Sequence, residues 1–300
     1  MDNTLIVILG PTGVGKTALC IDFAKHFASP IVNADSRQIF AEMPIGTAAP
    51  TLEQQNIVKH YFVGNHKITD YYSAAMYEHD VLQLLPTIFT PDHSKVILTG
   101  GSMMYIDAVC KGIDDIPTVT PEIREQVMSI YQQHGLDYLV DMLQQLDPEH
   151  WAIVDKQNPR RVIHAIEICM MTGKTYSSFR TNTHKKRPFN IIKIGLNRER
   201  DILYQRINER VLQMMEQGLL EEVKSLLPYR HLNALNTVGY KELFNYLDGN
   251  ITLEEAVRQI QSNTRRYMRK QLTWFKRDCE ITWFSPDNIK EIINYIESKT

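Results

Sequence analysis

The chain has 300 residues, of which 43% are hydrophobic and 23% charged, and its formal net charge is −2. These values are ordinary for a globular protein of one large or two modest domains, and they argue against a disordered or low-complexity chain. The net charge does not predict nucleic-acid binding, although local basic clusters could still provide it. No apolar run is long enough to span a membrane, and the first residues lack the basic region of a signal peptide.

The first 110 residues alternate between strand and helix patterns. Short apolar runs predict strands at Thr4–Leu9, Pro30–Ala34 and Lys95–Thr99. Helical apolar spacing predicts helices at Thr17–Ala28 and Ser73–Leu85, with another through Tyr105 and Ala108. This alternation is typical of an α/β fold with a parallel sheet and right-handed crossovers.

The pattern becomes helical after about Lys111. The next predicted helices are Pro121–Gln133, Leu136–Leu146 and Pro159–Met171, followed by a strand at Phe189–Leu196. Later helices are expected at Asp201–Glu216, Leu219–Leu227, Leu253–Arg258 and Ser262–Arg277. We therefore predict an α/β core made of residues 1–110 and 187–300, interrupted by an all-helical insertion at 111–186.

A phosphate-binding loop connects the first strand to the first helix. The segment GPTGVGKT matches G-x-x-x-x-G-K-[ST] between a strand and a helix, which is the context that supports a P-loop and a P-loop NTPase-like sheet. Its backbone N–H groups, helix N-terminus and lysine charge suit phosphate, and its threonine hydroxyl suits Mg²⁺. A plain glycine turn is the alternative. The candidate phosphate-binding residues are Gly10, Pro11, Thr12, Gly13, Val14, Gly15, Lys16 and Thr17.

The position of the acidic residue limits which P-loop chemistry is expected. NTP-hydrolysing P-loop proteins usually end a second apolar strand in aspartate, but the strand KVILT ends in Thr99 and two glycines. The strand before Asp35 has the acid instead. This arrangement favours a kinase, which would bind ATP in the loop, or a transferase whose substrate carries a diphosphate.

Several longer motifs resemble one family. DSRQIF with MPIGTAAP, LTGGSMMY, NPRRVIHAIEI, TVGYKEL and RRYMRKQLTWFKR together resemble bacterial tRNA dimethylallyltransferases, also called tRNA isopentenyltransferases, of the IPP transferase family. The resemblance runs from Leu5 to Phe275. It implies transfer of a dimethylallyl group from dimethylallyl diphosphate to the N6 amine of the adenine 3′ of the tRNA anticodon. It also implies that Mg²⁺ is needed and ATP is not.

The resemblance assigns catalytic roles to Asp35, Lys16 and Ser102. Lys16 and the loop would stabilise the leaving diphosphate, and Asp35 would accept the amine proton. The residue types alone leave a second interpretation open, because Asp35 could cap a helix starting near Arg37. Ser102 could likewise cap the helix through Tyr105; the family usually has threonine at this position.

The tRNA-binding residues are also assigned in part by resemblance. Two first-turn arginines in NPRR oppose their helix dipole, which an anionic partner would relieve. A basic stripe on Ser262–Arg277 could bind phosphates, although a solvated charged face is the usual alternative, as it is for Arg124 and for the short basic segment His184–Arg187. The candidates are Asp35, Ser36, Arg37, Gln38, Ser102, Arg124, Gln157, Asn158, Pro159, Arg160, Arg161, Arg265 and Arg269.

Three functional hypotheses follow from these patterns. A Mg²⁺-dependent tRNA prenyltransferase accounts for the loop, the acid and the basic segments together. An ATP-dependent small-molecule or nucleotide kinase accounts only for the loop and the acid. A non-catalytic RNA-binding module leaves Lys16, Thr17 and Asp35 without a purpose. We expect a cytoplasmic protein, because the four cysteines form no pair typical of a disulfide framework or zinc site. We also expect a monomer, since nothing in the sequence suggests an obligate dimer.

Overall fold

The computed structural model describes residues 3–91, 93–181 and 183–300. The chain divides into two compact units: Met1–Cys110 with Lys186–Thr300, and Lys111–Lys185. In the described part of the chain, no helix combines the length and the apolar character needed to cross a bilayer.

The larger unit contains a parallel sheet. Its strands are β1 (Thr4–Leu9), β2 (Ile31–Asn33), β3 (His60–Tyr61), β4 (Lys95–Gly100), β5 (Asn190–Leu196) and β6 (Ile281–Phe284). Among the described residues the strand order is β3-β2-β4-β1-β5-β6, and all paired strands are parallel. The α/β fold with a parallel sheet is therefore confirmed.

Helices connect and cover the strands. In the larger unit they are α1 (Lys16–His26), α2 (Leu52–Ile57), α3 (Ala74–Ile88), α4 (Met103–Lys111), α8 (Arg200–Glu216), α9 (Leu219–Ser225), α10 (Tyr240–Leu247), α11 (Leu253–Phe275) and α12 (Ile289–Glu297). In the smaller unit they are α5 (Pro121–Leu146), α6 (Pro148–Ile153) and α7 (Pro159–Thr172).

The central strand β1 is buried on both faces, which explains its uninterrupted apolar run. Ile6 and Ile8 belong to the core on one side of the sheet, together with Phe23 of α1. Leu5, Val7 and Leu9 belong to the core on the other side. Alternate residues of a strand point to opposite faces, so one short segment anchors both layers of helices.

The smaller unit is helical. Its core contains Val127 and Leu139 of α5 and Val162 and Ile166 of α7. Gly135 has a φ of 80° inside α5, so this segment consists of two helices meeting at a bend, at the place where the sequence predicts a break. Asp147 begins α6 and accepts hydrogen bonds from His150 N–H and from both the N–H and the hydroxyl of Ser177.

The structure corrects several element boundaries. The two predicted helices Leu253–Arg258 and Ser262–Arg277 are one helix, α11, because Ile260 between them is buried on the same apolar face. The sequence analysis also missed six short elements, the helices α2, α6, α10 and α12 and the strands β3 and β6. Because these elements are short, the spacing of their apolar residues shows neither the helical nor the strand periodicity clearly enough to distinguish them from loops.

Arg187 lies in the segment interpreted from sequence as a solvated or RNA-contacting basic loop, and the structure shows neither. Its side chain is only 6% exposed and pairs with Glu78, itself 7% exposed, at 2.7 Å. The guanidinium also donates to the carbonyls of Ala108 and Val109. Arg187 therefore fastens the start of the segment leading into β5 onto α3 and α4.

We expect Arg187→Met to reduce the free energy of unfolding by about 3–5 kcal/mol, because it removes the Arg187 cation from a buried ion pair. Urea unfolding followed by circular dichroism measures this change. The matched control is Arg230→Met, whose ion pair with Asp248 is partly exposed and should matter much less. Equal effects of the two substitutions would contradict the structural role of Arg187.

Candidate functional site

The candidate site lies where the carboxyl ends of β1, β2 and β4 meet. Ala34 N–H donates to Thr99 O at 2.6 Å, and Ser102 N–H donates to Ala34 O at 3.1 Å. A Cβ on Gly100 would overlap the Ala34 backbone, so only glycine allows this approach. In parallel sheets, crevices outside the carboxyl ends of strands are the usual ligand-binding places.

The P-loop depends on backbone conformations that glycine adopts readily. Gly13 and Gly15 have φ values of 84° and 106°, and Gly15 immediately precedes α1. A Cβ on Gly10 would lie 2.6 Å from the carbonyl oxygen of Leu196 in β5. The loop is thus wrapped tightly at the end of the sheet, with the N-terminus of α1 directed into it.

Lys16 is held inside this loop. Its ammonium group donates to the carbonyls of Gly10 at 2.8 Å and Pro11 at 3.0 Å. Burial, and secondly the charge of Arg210, lower the pKa of Lys16 to about 8, while Asp35 opposes the decrease. A buried ammonium with a lowered pKa is a group that an incoming anion would stabilise.

Two arginines of α8, missed from the sequence, complete this positive site. Arg206 donates from Nε to the carbonyl of Gly13 at 2.7 Å. Burial is also the main cause that lowers the pKa of Arg210, and Asp35 opposes that change. The four-residue spacing of the two arginines places them on one side of a helix. Nothing in the sequence shows that this side faces a loop about 190 residues earlier.

Asp35 occupies a turn rather than a helix start. Its Oδ1 accepts from the N–H groups of Arg37 at 2.9 Å and, more weakly, Gln38 at 3.4 Å. The expected helix near Arg37 is absent, since the described residues 36–39 form turns, so the helix-capping interpretation is wrong. The other oxygen, Oδ2, lies 3.4 Å from where a Cβ of Gly101 would stand.

Ser102 is tied to the Asp35 segment. Its hydroxyl accepts from Ser36 N–H at 2.8 Å and contacts the Ser36 hydroxyl at 3.0 Å. The carbonyl of Ser102, rather than its side chain, accepts the first backbone bond of α4, from Ile106 N–H. The structure thus brings together Lys16, Asp35 and Ser102, the three predicted catalytic residues, at one edge of the sheet.

The Asp35 segment is also joined to the IGTAAP motif. Gln38 Nε2 donates to the carbonyls of Thr47 and Ala48 at 3.0 and 3.1 Å. Glu222 of α9 accepts from the N–H groups of Ile45 and Gly46 and from the Tyr240 hydroxyl. The segment after Asp35 and the IGTAAP motif are therefore held together by hydrogen bonds.

Two of the basic residues of α11 hydrogen-bond to α8, although Arg266, Arg269 and Lys270 are exposed. Arg265 donates to the Asn208 side chain at 2.6 Å, and Arg269 donates to the Tyr204 hydroxyl at 2.8 Å, both on α8. Met268 and Phe275, on another face of α11, are buried. The predicted stripe also ends early, because α11 stops at Phe275 and does not reach Arg277.

The smaller unit carries its own basic candidates. Asn158 accepts from Arg161 N–H and begins α7, with Pro159 in the first turn, as its sequence predicts. Arg160 and Arg161 are exposed, and Gln157 beside them is exposed too. Arg124 lies 3.6 Å from the buried carboxylate of Glu167, so it is more than a solvated charge.

The donor set at the P-loop suits a magnesium ion held mainly by a substrate. The described residues contain no group of three or more His, Cys, Asp or Glu side chains placed to bind a metal. Mg²⁺ commonly retains waters and is held by one or two protein oxygens plus substrate phosphates. The Thr17 hydroxyl in the first turn of α1 fits that pattern.

Comparison with known proteins identifies related sequences. The family model described as IPP transferase matches residues 38–278. A tRNA dimethylallyltransferase 1 from Phocaeicola vulgatus is 62% identical over 298 residues, covering 99% of each chain. A protein of the same name from Bacteroides thetaiotaomicron is 60% identical, over 98% of this chain and 95% of its own.

Solved structures of related proteins have the same fold. The tRNA isopentenylpyrophosphate transferase from Bacillus halodurans is 35% identical, with a TM-score of 0.72 over 99% of this chain and 97% of its own. A eukaryotic dimethylallyltransferase acting on tRNA has a TM-score of 0.80 over 96% of this chain and 75% of its own. At 24% identity that second likeness concerns the fold alone.

The lowered pKa of Lys16 predicts proton uptake when an anion binds. At a pH just above 8 the free ammonium is partly deprotonated, and a bound diphosphate should raise its pKa again. Calorimetric titration with inorganic pyrophosphate and Mg²⁺, in buffers of different ionisation enthalpy, measures this uptake. We expect Lys16→Met to bind more weakly and to lose that contribution, whereas Lys25→Met, at an exposed position of α1, should keep it. Equal uptake by all three proteins would contradict this prediction.

Proposed function

Because this chain belongs to the IPP transferase family, we propose that it transfers a dimethylallyl group from dimethylallyl diphosphate to tRNA. The acceptor is the N6 amine of the adenine 3′ of the anticodon, and diphosphate is released. The observation that carries the proposal is the juxtaposition of Lys16, inside the P-loop, with Asp35, whose charges influence each other. The comparisons support this prenyl transfer and not the kinase alternative.

The reaction needs a site for the leaving group and a base for the nucleophile. The N6 lone pair forms a bond to the allylic carbon, the carbon–oxygen bond breaks, and diphosphate leaves with the electron pair. Lys16, Arg206 and Arg210 lie where negative charge develops, and the N-terminus of α1 adds to their effect. The proton released from N6 passes to the Asp35 carboxylate.

Asp35 is suited to this role by its local structure. One carboxylate oxygen holds its own turn through Arg37 N–H, so the side chain is fixed in direction. Among the described residues the other oxygen accepts no hydrogen bond, which leaves it available to a substrate amine. A positioned base of this kind contributes about 10²–10⁴-fold to a proton-transfer step.

The proposal includes Mg²⁺ bound with the diphosphate. The Thr17 hydroxyl would hold the ion, and the ion would supply further positive charge to the leaving oxygens. The chain itself contributes the backbone N–H groups of the loop and the Lys16 ammonium, which orient the diphosphate before transfer.

Each unit, taken by itself, carries residues that we propose bind tRNA. Ser36, Arg37 and Gln38 directly follow the general base, Asp35, in the chain. A flipped adenine would have to enter beside them. Arg265 and Arg269 on α11 offer charge to backbone phosphates, as do Arg160 and Arg161 on the smaller unit. The remaining members of the proposed tRNA-binding set are Asp35, Ser102, Arg124, Gln157, Asn158 and Pro159.

We further propose a monomer working in the cytoplasm. Every group assigned above to diphosphate binding and proton transfer comes from one chain. In the part of the chain that the structure describes, none of the four cysteines forms a disulfide; three are buried and Cys279 is exposed, which suits a reducing compartment.

The direct test supplies labelled dimethylallyl diphosphate to unmodified tRNA with Mg²⁺ and without ATP. We expect label in the tRNA, lost when the adenine 3′ of the anticodon is replaced by another base. Absence of label, with ATP consumed in the presence of small acceptors, would refute prenyl transfer and support a kinase.

We expect Asp35→Asn to reduce kcat by about 10²–10⁴-fold, because the amide keeps the turn but cannot accept a proton. Single-turnover prenylation measures the loss, and filter binding should show that tRNA affinity is retained. Asp22→Asn, the same substitution at an exposed position of α1, should leave both quantities unchanged. Wild-type turnover by Asp35→Asn would show that another group is the base.

A further inference from the structure

Gln271 is a polar residue of α11 that sits almost entirely inside the protein, 1% exposed. Its side-chain oxygen accepts from the backbone N–H of Thr12 in the P-loop at 2.9 Å. Its side-chain nitrogen donates to the carbonyl of Gly101 at 2.8 Å. One amide therefore joins the loop after β1 to the loop after β4.

The loop after β4 is hydrogen-bonded to the segment that carries the general base, Asp35. Gly101 precedes Ser102, whose N–H donates to Ala34 and whose hydroxyl accepts from Ser36 N–H. A Cβ on Gly101 would lie 2.7 Å from the Gln271 nitrogen and 3.4 Å from Asp35 Oδ2. The Gln271 amide and the Asp35 carboxylate thus both lie next to the position that a side chain at Gly101 would occupy.

The contact with Thr12 also changes how the P-loop is expected to work. The Thr12 N–H is directed to Gln271, so it is not among the backbone donors pointing at a diphosphate. Its bond instead fixes where the loop lies relative to the end of β4. Because Gln271 is almost fully buried and both ends of its amide are hydrogen-bonded, losing either bond would leave a buried polar group unpaired and would cost stability.

We propose that Gln271 is a positioning residue that sets the distance between the diphosphate-binding loop and the base Asp35. This inference rests on the proposed prenyl transfer, in which the leaving group and the nucleophile must be aligned on opposite sides of one carbon. The amide achieves this by accepting from one loop and donating to the other, which a carboxylate or an apolar side chain cannot do. A shift of about 1 Å in such an alignment can cost on the order of 10²-fold in rate.

The first test replaces the donor end only. Gln271→Glu keeps an oxygen for Thr12 N–H but, when ionised, cannot donate to Gly101. The titratable groups near the introduced carboxyl are Asp35 at the end of β2, Tyr267 on α11, and Lys16 on α1 beside Asp35. The Tyr267 hydroxyl also donates to the Gly101 carbonyl at 3.3 Å. Burial and the Asp35 charge favour protonation of the introduced carboxyl, and the protonated form can donate again.

We expect Gln271→Glu to lower the single-turnover rate constant for prenyl transfer by about 10- to 100-fold at neutral pH. Its rate relative to the wild type at each pH should rise as the pH falls, because protonation restores the donor. The Kd for tRNA should stay unchanged. Gln261→Glu is the matched control on the same helix: this half-buried side chain donates to the Asn208 carbonyl of α8, away from Gly101, and its activity ratio should not vary with pH.

A second variant covers the case in which a buried carboxylate unfolds the chain. Gln271→Met keeps similar length and packing, removes both hydrogen bonds, and should lose kcat without recovery at low pH. Thermal unfolding identifies any variant that is simply misfolded. Wild-type kcat for Gln271→Met, or a pH-independent loss in a folded Gln271→Glu protein, would overturn the positioning role while leaving prenyl transfer intact. A wild-type protein that transfers no label would overturn both.

Discussion

Parallel pairing of β4 with β1 on one side and β2 on the other is the constraint on which the candidate site depends. It brings three chain segments to one edge of the sheet, although they are separated by as many as 90 residues in sequence. The approach is close enough that Gly100 cannot carry a side chain against Ala34. The P-loop, Asp35 and Ser102 are neighbours because their strands end at the same level.

The electrostatics of the site follow from that placement. Lys16, Arg206 and Arg210 converge on the loop, and burial lowers the pKa of Lys16 and of Arg210. Asp35 is the carboxylate that partly compensates for them. Such an arrangement holds positive charge at a cost in solvation, and an entering diphosphate recovers that cost. In the proposed reaction the same charges would bind the diphosphate and stabilise it as a leaving group.

Sequence patterns were sufficient where a signal is local. The P-loop, the buried strand β1 and the start of α7 at Asn158 each depend on a few adjacent residues, and the structure confirms them. The capping interpretation of Asp35 was also local and was wrong, since Asp35 holds a turn by the same kind of bond. Short elements such as β3 and β6 were missed because pairing with neighbouring strands, rather than their own composition, makes them strands.

The sequence by itself determined the family, the P-loop between β1 and α1, and the position of Asp35 after a strand, since these are encoded in contiguous motifs. Only the tertiary structure decided which distant side chains join them. Gln271 bonds to Thr12 across 259 positions, and Arg206 bonds to Gly13 across 193. A glutamine or an arginine on a helix has the same local pattern whether it faces water or another loop. The physical reason is that such contacts depend on how the helices pack on the sheet, which no short stretch of residues specifies.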